Sequence, residues 1–297
     1  MSQLIEVMVG GHGPHKVFIV PIKGVIVDEG AAPSPLRGGA RQTSARHFEV
    51  LGKRIRHDPL ACGVLLRINS PGGMASASED IFNEISRIRQ KMPVVAYIEN
   101  LGASGSYMAA VGADNIVAAK SAIVGSVGVI LQRMDVSEAL AKLGVKMESL
   151  TTGSLKDTTS MYRPLTDEDR KYLLNEIIEP AMKRFVTIVS SRRTAITEAS
   201  WPEITTGKVF SAEHARQLGL VDQIGSFDTA RDAMIEYAKT KNSGLTKDQI
   251  SFVQLASKQS FLENFLGGMR ANASLLEDLD EAVKTLTAPG LWYIWKL

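Results

Sequence analysis

Short apolar runs rich in β-branched residues alternate with amphipathic stretches of helical period, and this order constrains the fold more than any other feature. Lys16 to Val27 reads as one or two strands, and residues 42–57 as a helix whose Phe48, Leu51 and Ile55 recur at three and four. Gly63 to Asn69 reads as a strand, Ala75 to Lys91 as a helix with Ile81, Ile85 and Ile88 on one face, and Pro93 opens the next strand. Such an order buries its apolar faces by laying helices on a sheet, which gives an α/β fold. Residues 29–41, with three glycines and two prolines, form a loop. Further strands are expected at Asn115–Ala118, Gly125–Leu131 and Lys146–Leu150, with a helix at Ser137–Leu143. A long helix over 167–192 starts at the capping pattern Thr166 to Asp169 and should kink or divide at Pro180. Shorter helices follow at Ser211–Leu218 and 227–240, and 258–287 has the pattern of a helical appendage.

Composition excludes several classes of function. A net charge of +2, from 34 basic and 32 acidic residues, is too small to imply a nucleic-acid partner. Cys62 is the single cysteine, so there is no intramolecular disulfide and no multi-cysteine zinc site; its surroundings read as a buried small hydrophobe. The five histidines lack metal-ligand spacing beyond the loose pair His12 and His15, and no cofactor or metal is called for. The N-terminus lacks the pattern of a signal peptide, and no run reaches the roughly 18 apolar residues of a membrane span. A cytoplasmic or peripherally membrane-associated setting is therefore expected. The aromatic run Gly290 to Leu297 is expected to pack on the body, with partner docking and membrane contact as the other uses of such a segment.

Two motifs carry chemistry. Ser104, in the Gly-Ala-Ser-Gly run 102–105, follows a strand and precedes a small-residue helix, where unpaired backbone N–H groups favour developing negative charge. A hydroxyl is a weak nucleophile without a base. No histidine stands near, so Lys156, in the Thr-Gly-Ser-Leu-Lys run 152–156, is the candidate; serine–lysine pairs are a known variant of triad logic. Asp157 is the only other charge in residues 151–160, and a lysine buried against a dry site loses its proton readily. Ser126, in Val124 to Val129, either satisfies a local backbone group or orients the lysine. The turn Asn69 to Gly73 can bring backbone N–H groups to an oxyanion, with Gly73 and Gly105 as the donors. Taken singly, each has an ordinary structural use: a helix cap, a solvated lysine, a turn.

Together these motifs, with Gly207 to Gly225 downstream, resemble the protease IV, or signal peptide peptidase A (SppA/SohB-type), serine peptidases over roughly residues 16–240. The resemblance implies a ClpP/crotonase-like fold, twisted sheets flanked by helices in repeated ββα units, here with a C-terminal helical appendage. It implies a peptidase domain over 1–241 and an extension over 242–297. It also implies Ser104 as nucleophile, Lys156 as general base, Ser126 as its support and Gly73 and Gly105 as oxyanion donors. A peptide or protein substrate, a homo-oligomer and peripheral membrane contact complete what it implies. Family members usually carry an N-terminal membrane anchor, which is not seen in this sequence. Ser106 stands where a second glycine is usual, with little consequence expected. Two other readings are a crotonase-type acyl-CoA enzyme, for which Glu99 is the nearby acidic group, and a non-catalytic scaffold of the same fold.

Overall fold

The computed structural model describes residues 4–29, 42–257 and 291–294. From the N-terminus, β1 (Leu4–Gly11), β2 (His15–Lys23), β3 (Val25–Val27) and β4 (Gln42–Ser44) lead into α1 (Ala45–Arg56). Next come β5 (Ala61–Ser70), β6 (Gly72–Met74), α2 (Ala75–Lys91), β7 (Val94–Ala103) and α3 (Gly105–Ala110). β8 (Asn115–Ala118), β9 (Ile123–Gly125), β10 (Ile130–Leu131) and α4 (Ser137–Lys142) follow, then α5 (Asp167–Tyr172) and α6 (Glu179–Arg192). The described chain ends with α7 (Trp201–Ile204), β11 (Val209–Ser211), α8 (Ala212–Gln217), β12 (Gln223–Ile224), α9 (Phe227–Lys241), β13 (Ile250–Ser257) and β14 (Leu291–Ile294).

Two sheets result. The larger runs β1-β13-β2-β5-β7-β8-β12, with β9 beside the end of β7 and β11 on β9. From β13 to β12 its neighbours are parallel, and both faces are covered. Alternate residues of each strand serve opposite layers. Val64, Leu66, Val94, Ala96 and Ile98 join α1, α2, α3 and α6 in one core, while Leu65, Val95 and Tyr97 meet Met234 and Ile235 of α9 in the other. The smaller sheet has the order β10-β14-β6-β3-β4.

Several elements depart from the sequence expectation. The first apolar run, expected as one or two strands, is two: it divides at Gly24 (φ 64°) into β2 and β3, which enter different sheets. The first helix begins at Ala45 because Ser44 caps it, accepting from the His47 N–H. Gly125–Leu131 is two short strands separated by the positive-φ residue Ser126. No strand forms at 146–150, where every residue is exposed. The 167–192 segment starts at the expected capping box, then passes through a π-helical stretch, Leu173–Ile178, before Pro180 sits in the first turn of α6. β13 lies between β1 and β2, so residues beyond 241 return to the main sheet. The appendage expected at 258–287 lies outside the described residues.

Candidate active site

β7 ends at Ala103 and α3 starts at Gly105, so Ser104 makes the whole turn between them, with φ 54° and ψ −120°. A non-glycine residue in that region is strained by its own Cβ, and such strain persists only where the surroundings enforce it. Here they do. The Ser104 N–H donates to the Gly125 carbonyl at 2.8 Å, and the Met108 N–H donates to the Ser104 carbonyl at 2.9 Å. The residue is 1% exposed, and its Oγ has no hydrogen-bond partner; among the described residues only Asn115 Oδ1 shares that condition. A buried hydroxyl without a partner is costly and needs a reason.

The glycines are dictated by contact. A Cβ on Gly73 would lie 2.0 Å from the Ile26 carbonyl oxygen and 2.5 Å from its nitrogen, because β3 runs directly against β6. Gly125 has φ 115°, and this lets its carbonyl reach Ser104 while β9 pairs with Phe210. Ser126 follows at φ 52°, 5% exposed, and its N–H donates to the Lys208 carbonyl at 2.6 Å. α3 packs on β5, β6 and β7. The structure thus gathers Ser104, Gly105, Gly73 and the Gly125–Ser126 turn around the start of one short helix.

Ser106 does more than the sequence suggested. It is fully buried, and its hydroxyl is shared between the Ser70 carbonyl at 2.6 Å and the Ala103 carbonyl at 2.9 Å. It therefore ties the strand end that feeds the glycine turn to the helix that follows Ser104. Behind α3, Tyr107 Oη donates to the Leu220 carbonyl at 2.9 Å, and burial raises its phenol pKa. Arg193 donates to the Gly219 carbonyl and to Asp222 Oδ2 at 2.8 Å, so the 207–225 motif serves as the seat of α3.

Lys156 is differently placed. It is exposed, not buried as its expected role requires, and it makes no hydrogen bond with Ser104 or Ser126. Its loop is ordered by charges the sequence reading did not connect. Arg163 donates to both oxygens of Asp157, at 3.1 and 2.8 Å, and to both of Asp169, while Arg133 donates to the Ser160 and Arg163 carbonyls. The Arg163 guanidinium holds the Asp169 carboxyl far below the usual carboxylate range, helped by the Thr166 N–H. The only sequence signal was the Thr166–Asp169 capping box, which gave no hint of the arginine.

Glu99, the acidic group of the acyl-CoA reading, follows Val95 and Tyr97 in the strand alternation, on the α9 side of the sheet. Arg67 Nε donates to it at 3.1 Å, and that guanidinium lowers its pKa. Among the described residues no helix is long and apolar enough to cross a membrane.

Comparison with known proteins adds the family. The family model "Peptidase family S49" matches residues 86–241. A protein of Methanocaldococcus jannaschii assigned as a protease is 36% identical over 202 residues, covering 68% of this chain and 64% of that one. A protein of Enterococcus faecium assigned as signal peptide peptidase SppA is 31% identical over 273 residues, covering 91% of this chain and 77% of that one. Protease 4 of Salmonella typhi is 30% identical over 283 residues, 92% of this chain but 43% of its own length. The solved structure of the 1510-N membrane-bound stomatin-specific protease matches over 81% of this chain and 98% of that one, at TM-score 0.49 and 13% identity. The chain belongs to peptidase family S49, as a member of the SppA/SohB type.

Proposed function

We propose that this protein is a serine endopeptidase in which Ser104 is the nucleophile and Lys156 the general base. Ser104 Oγ adds to the peptide carbonyl as the neutral Lys156 amine takes the hydroxyl proton. The oxyanion is met by the Gly73 and Gly105 N–H groups. Collapse breaks the C–N bond, the lysine ammonium protonates the leaving amine, and water then cleaves the acyl-serine by the same relay. Ser126 supports the lysine. The observation that carries this reading is Ser104 itself: a strained, buried serine at a strand-to-helix turn whose hydroxyl has no other partner. Unfolded, signal or membrane-derived peptides are the substrates this implies.

The lysine half of the site requires assembly. Lys156 is exposed here, and a lysine amine serves as a base only once it is withdrawn from solvent, where burial disfavours its charged form. Its segment also exposes Leu143 (77%), Met147 and Leu150 (96%), an apolar surface that suits contact with another copy. A homo-oligomer that covers this surface would desolvate the lysine as well. The acyl-CoA reading is weaker, because Glu99 is neutralised by Arg67 and lies on the other side of the sheet.

The test is cleavage of fluorogenic peptides and denatured casein by the wild type, Ser104→Ala and Lys156→Ala. Removing a member of such a relay costs roughly 10⁴-fold or more in kcat. Both variants should lose that activity while melting like the wild type. Undiminished cleavage by Ser104→Ala would sink the assignment, and a fully inactive wild type would point to the scaffold.

A further inference from the structure

The glycine strand β6 has two edges. One is taken by β3, through Ile26 opposite Gly73. The other is taken by β14, antiparallel, with Trp292 opposite Met74, Tyr293 opposite Gly73 and Ile294 opposite Gly72. On its far side β14 pairs antiparallel with β10, Ile130 opposite Trp292 and Leu131 opposite Leu291. β10 is the start of the segment that leads to Lys156, and α3, the helix after Ser104, packs on β14 as well as β6. The backbone of residues 291–294 therefore runs between β6 and β10 and passes the glycine assigned to the oxyanion.

An extended peptide binds most simply by adding a strand to an unpaired edge, its main chain supplying the hydrogen bonds. For a peptide to bring a carbonyl to Gly73 in this way, the β6 edge has to be open. Here both edges are filled, one by a strand built into the body and the other by a strand that returns from a distant part of the sequence.

We propose that Leu291–Ile294 occupies the peptide track of the active site, so that the chain occludes itself and a substrate binds by displacing β14. This rests on the peptidase reading for its meaning, though not for its geometry. A tethered occupant acts at a high effective concentration, which makes four residues of pairing sufficient to compete with a free peptide. The partner the track accepts is correspondingly an extended, apolar and aromatic segment like this one.

The experiment compares the full-length chain, the full-length chain with Trp292→Pro and Tyr293→Pro together, and a chain ending after Gly290. Successive residues of a central strand direct their N–H groups to opposite neighbours, so the two prolines remove one donor toward β6 and one toward β10. Binding of a fluorescein-labelled peptide of residues 290–297 is read by anisotropy in the Ser104→Ala background of all three. Hydrolysis of a fluorogenic peptide is read with Ser104 present. Both altered chains should bind the labelled peptide at least tenfold more tightly than the full-length chain and show at least a tenfold higher kcat/KM. The labelled peptide should compete with substrate. Equal affinity for all three chains, or no binding to the opened ones while they melt cooperatively, would overturn the inference. Selective binding by the opened chains with hydrolysis by none would uphold the occlusion and overturn the peptidase reading instead.

Discussion

The serine half and the lysine half of this site are held by opposite kinds of force. Ser104 is buried and fixed by backbone: the Gly125 carbonyl, the turn of α3 and the sheet edges on which that helix packs. Lys156 is exposed, and its loop is fixed by ion pairs through Arg163. Close-packed backbone tolerates little change, since a displaced atom has nowhere to go. Ion pairs that reach solvent through one partner, as these do through Arg163, are more open to salt and adjustment than packed backbone. The first half is thus made when the chain folds, and the second is open to adjustment by partners and conditions.

The sharpest way to break that contrast is to add one carbon to each half. Gly73→Ala puts a methyl against the Ile26 backbone at 2.0 Å, so β6 must shift from β3 and take the N–H proposed as an oxyanion donor with it. We expect kcat/KM to fall about 10²–10³-fold, the effect of a lost donor, with a stability cost of about 1–3 kcal/mol from overpacking. Gly153→Ala, in the lysine loop, meets nothing within 4 Å and should change the melting free energy by less than about 0.5 kcal/mol. Equal melting shifts for the two would mean that the halves do not differ in packing.

Arg163→Met probes the other half. It leaves Asp157 and Asp169 without their shared cation, and we expect activity to drop about tenfold, by analogy with outer groups that orient a site. Asp169 is buried, so losing its cation should also lower the melting temperature, by more than Gly153→Ala does. pH sharpens the point. Because Arg163 lowers the folded pKa of Asp169, the stabilisation is complete above the ordinary carboxylate range near pH 4 and is lost only as pH falls through the depressed folded value. Amide protection factors in residues 156–163, corrected for the intrinsic pH dependence of exchange, should therefore hold from neutral pH down to about 4 in the wild type and be lower throughout that range in the variant. Identical exchange profiles would show that Arg163 does not order the loop.

How far the sequence disclosed this architecture follows the same division. The helix over Ala75–Lys91 is found with those bounds, and Phe48, Leu51, Ile55, Ile81, Ile85 and Ile88 are all buried, because periodic apolar residues report directly on which face meets a sheet. Ser104, Gly73 and the Gly125–Ser126 turn were legible because close backbone approach leaves a glycine signature. The ion pairs that order the lysine loop were not, since pairing of Arg163 with Asp157 and Asp169 depends on how a loop folds back on itself. The same holds for β13 and β14: β13 is a strand in a polar context and β14 an aromatic run, and their partners lie at least 160 residues away in sequence. Non-local pairing leaves no local period.

Ser106→Gly makes a smaller test, and it asks whether one side-chain bond contributes beside so much backbone. The hydroxyl joins the Ser70 and Ala103 carbonyls in a fully buried place. Its loss should cost about 1–2 kcal/mol of stability, combining an unmet carbonyl with added backbone freedom. A few-fold fall in kcat with an unchanged KM is expected if Ser104 is the nucleophile, because the buried clamp holds the turn at Ser104 and is not open to substrate. A variant as stable and as active as the wild type would reduce Ser106 to a filler of space.

The smallest expected effect is none at all, and it calibrates the others. Cys62 lies on β5, 3% exposed, in the core beneath α9, and burial pushes its thiol pKa up to about 11. Thiolate is the reactive form, so at pH 8 both access and ionisation disfavour alkylation. Cys62 should resist iodoacetamide in the native protein and react only as fast as the body opens, whereas an amine reagent should modify Lys156 at once. Dilution, salt or an added peptide that alters lysine labelling while the thiol stays silent would place the adjustable element in the lysine loop and leave the serine half intact. Thiol labelling that rises in step with lysine labelling would mean that the two halves open together, and the contrast drawn from their packing would fail.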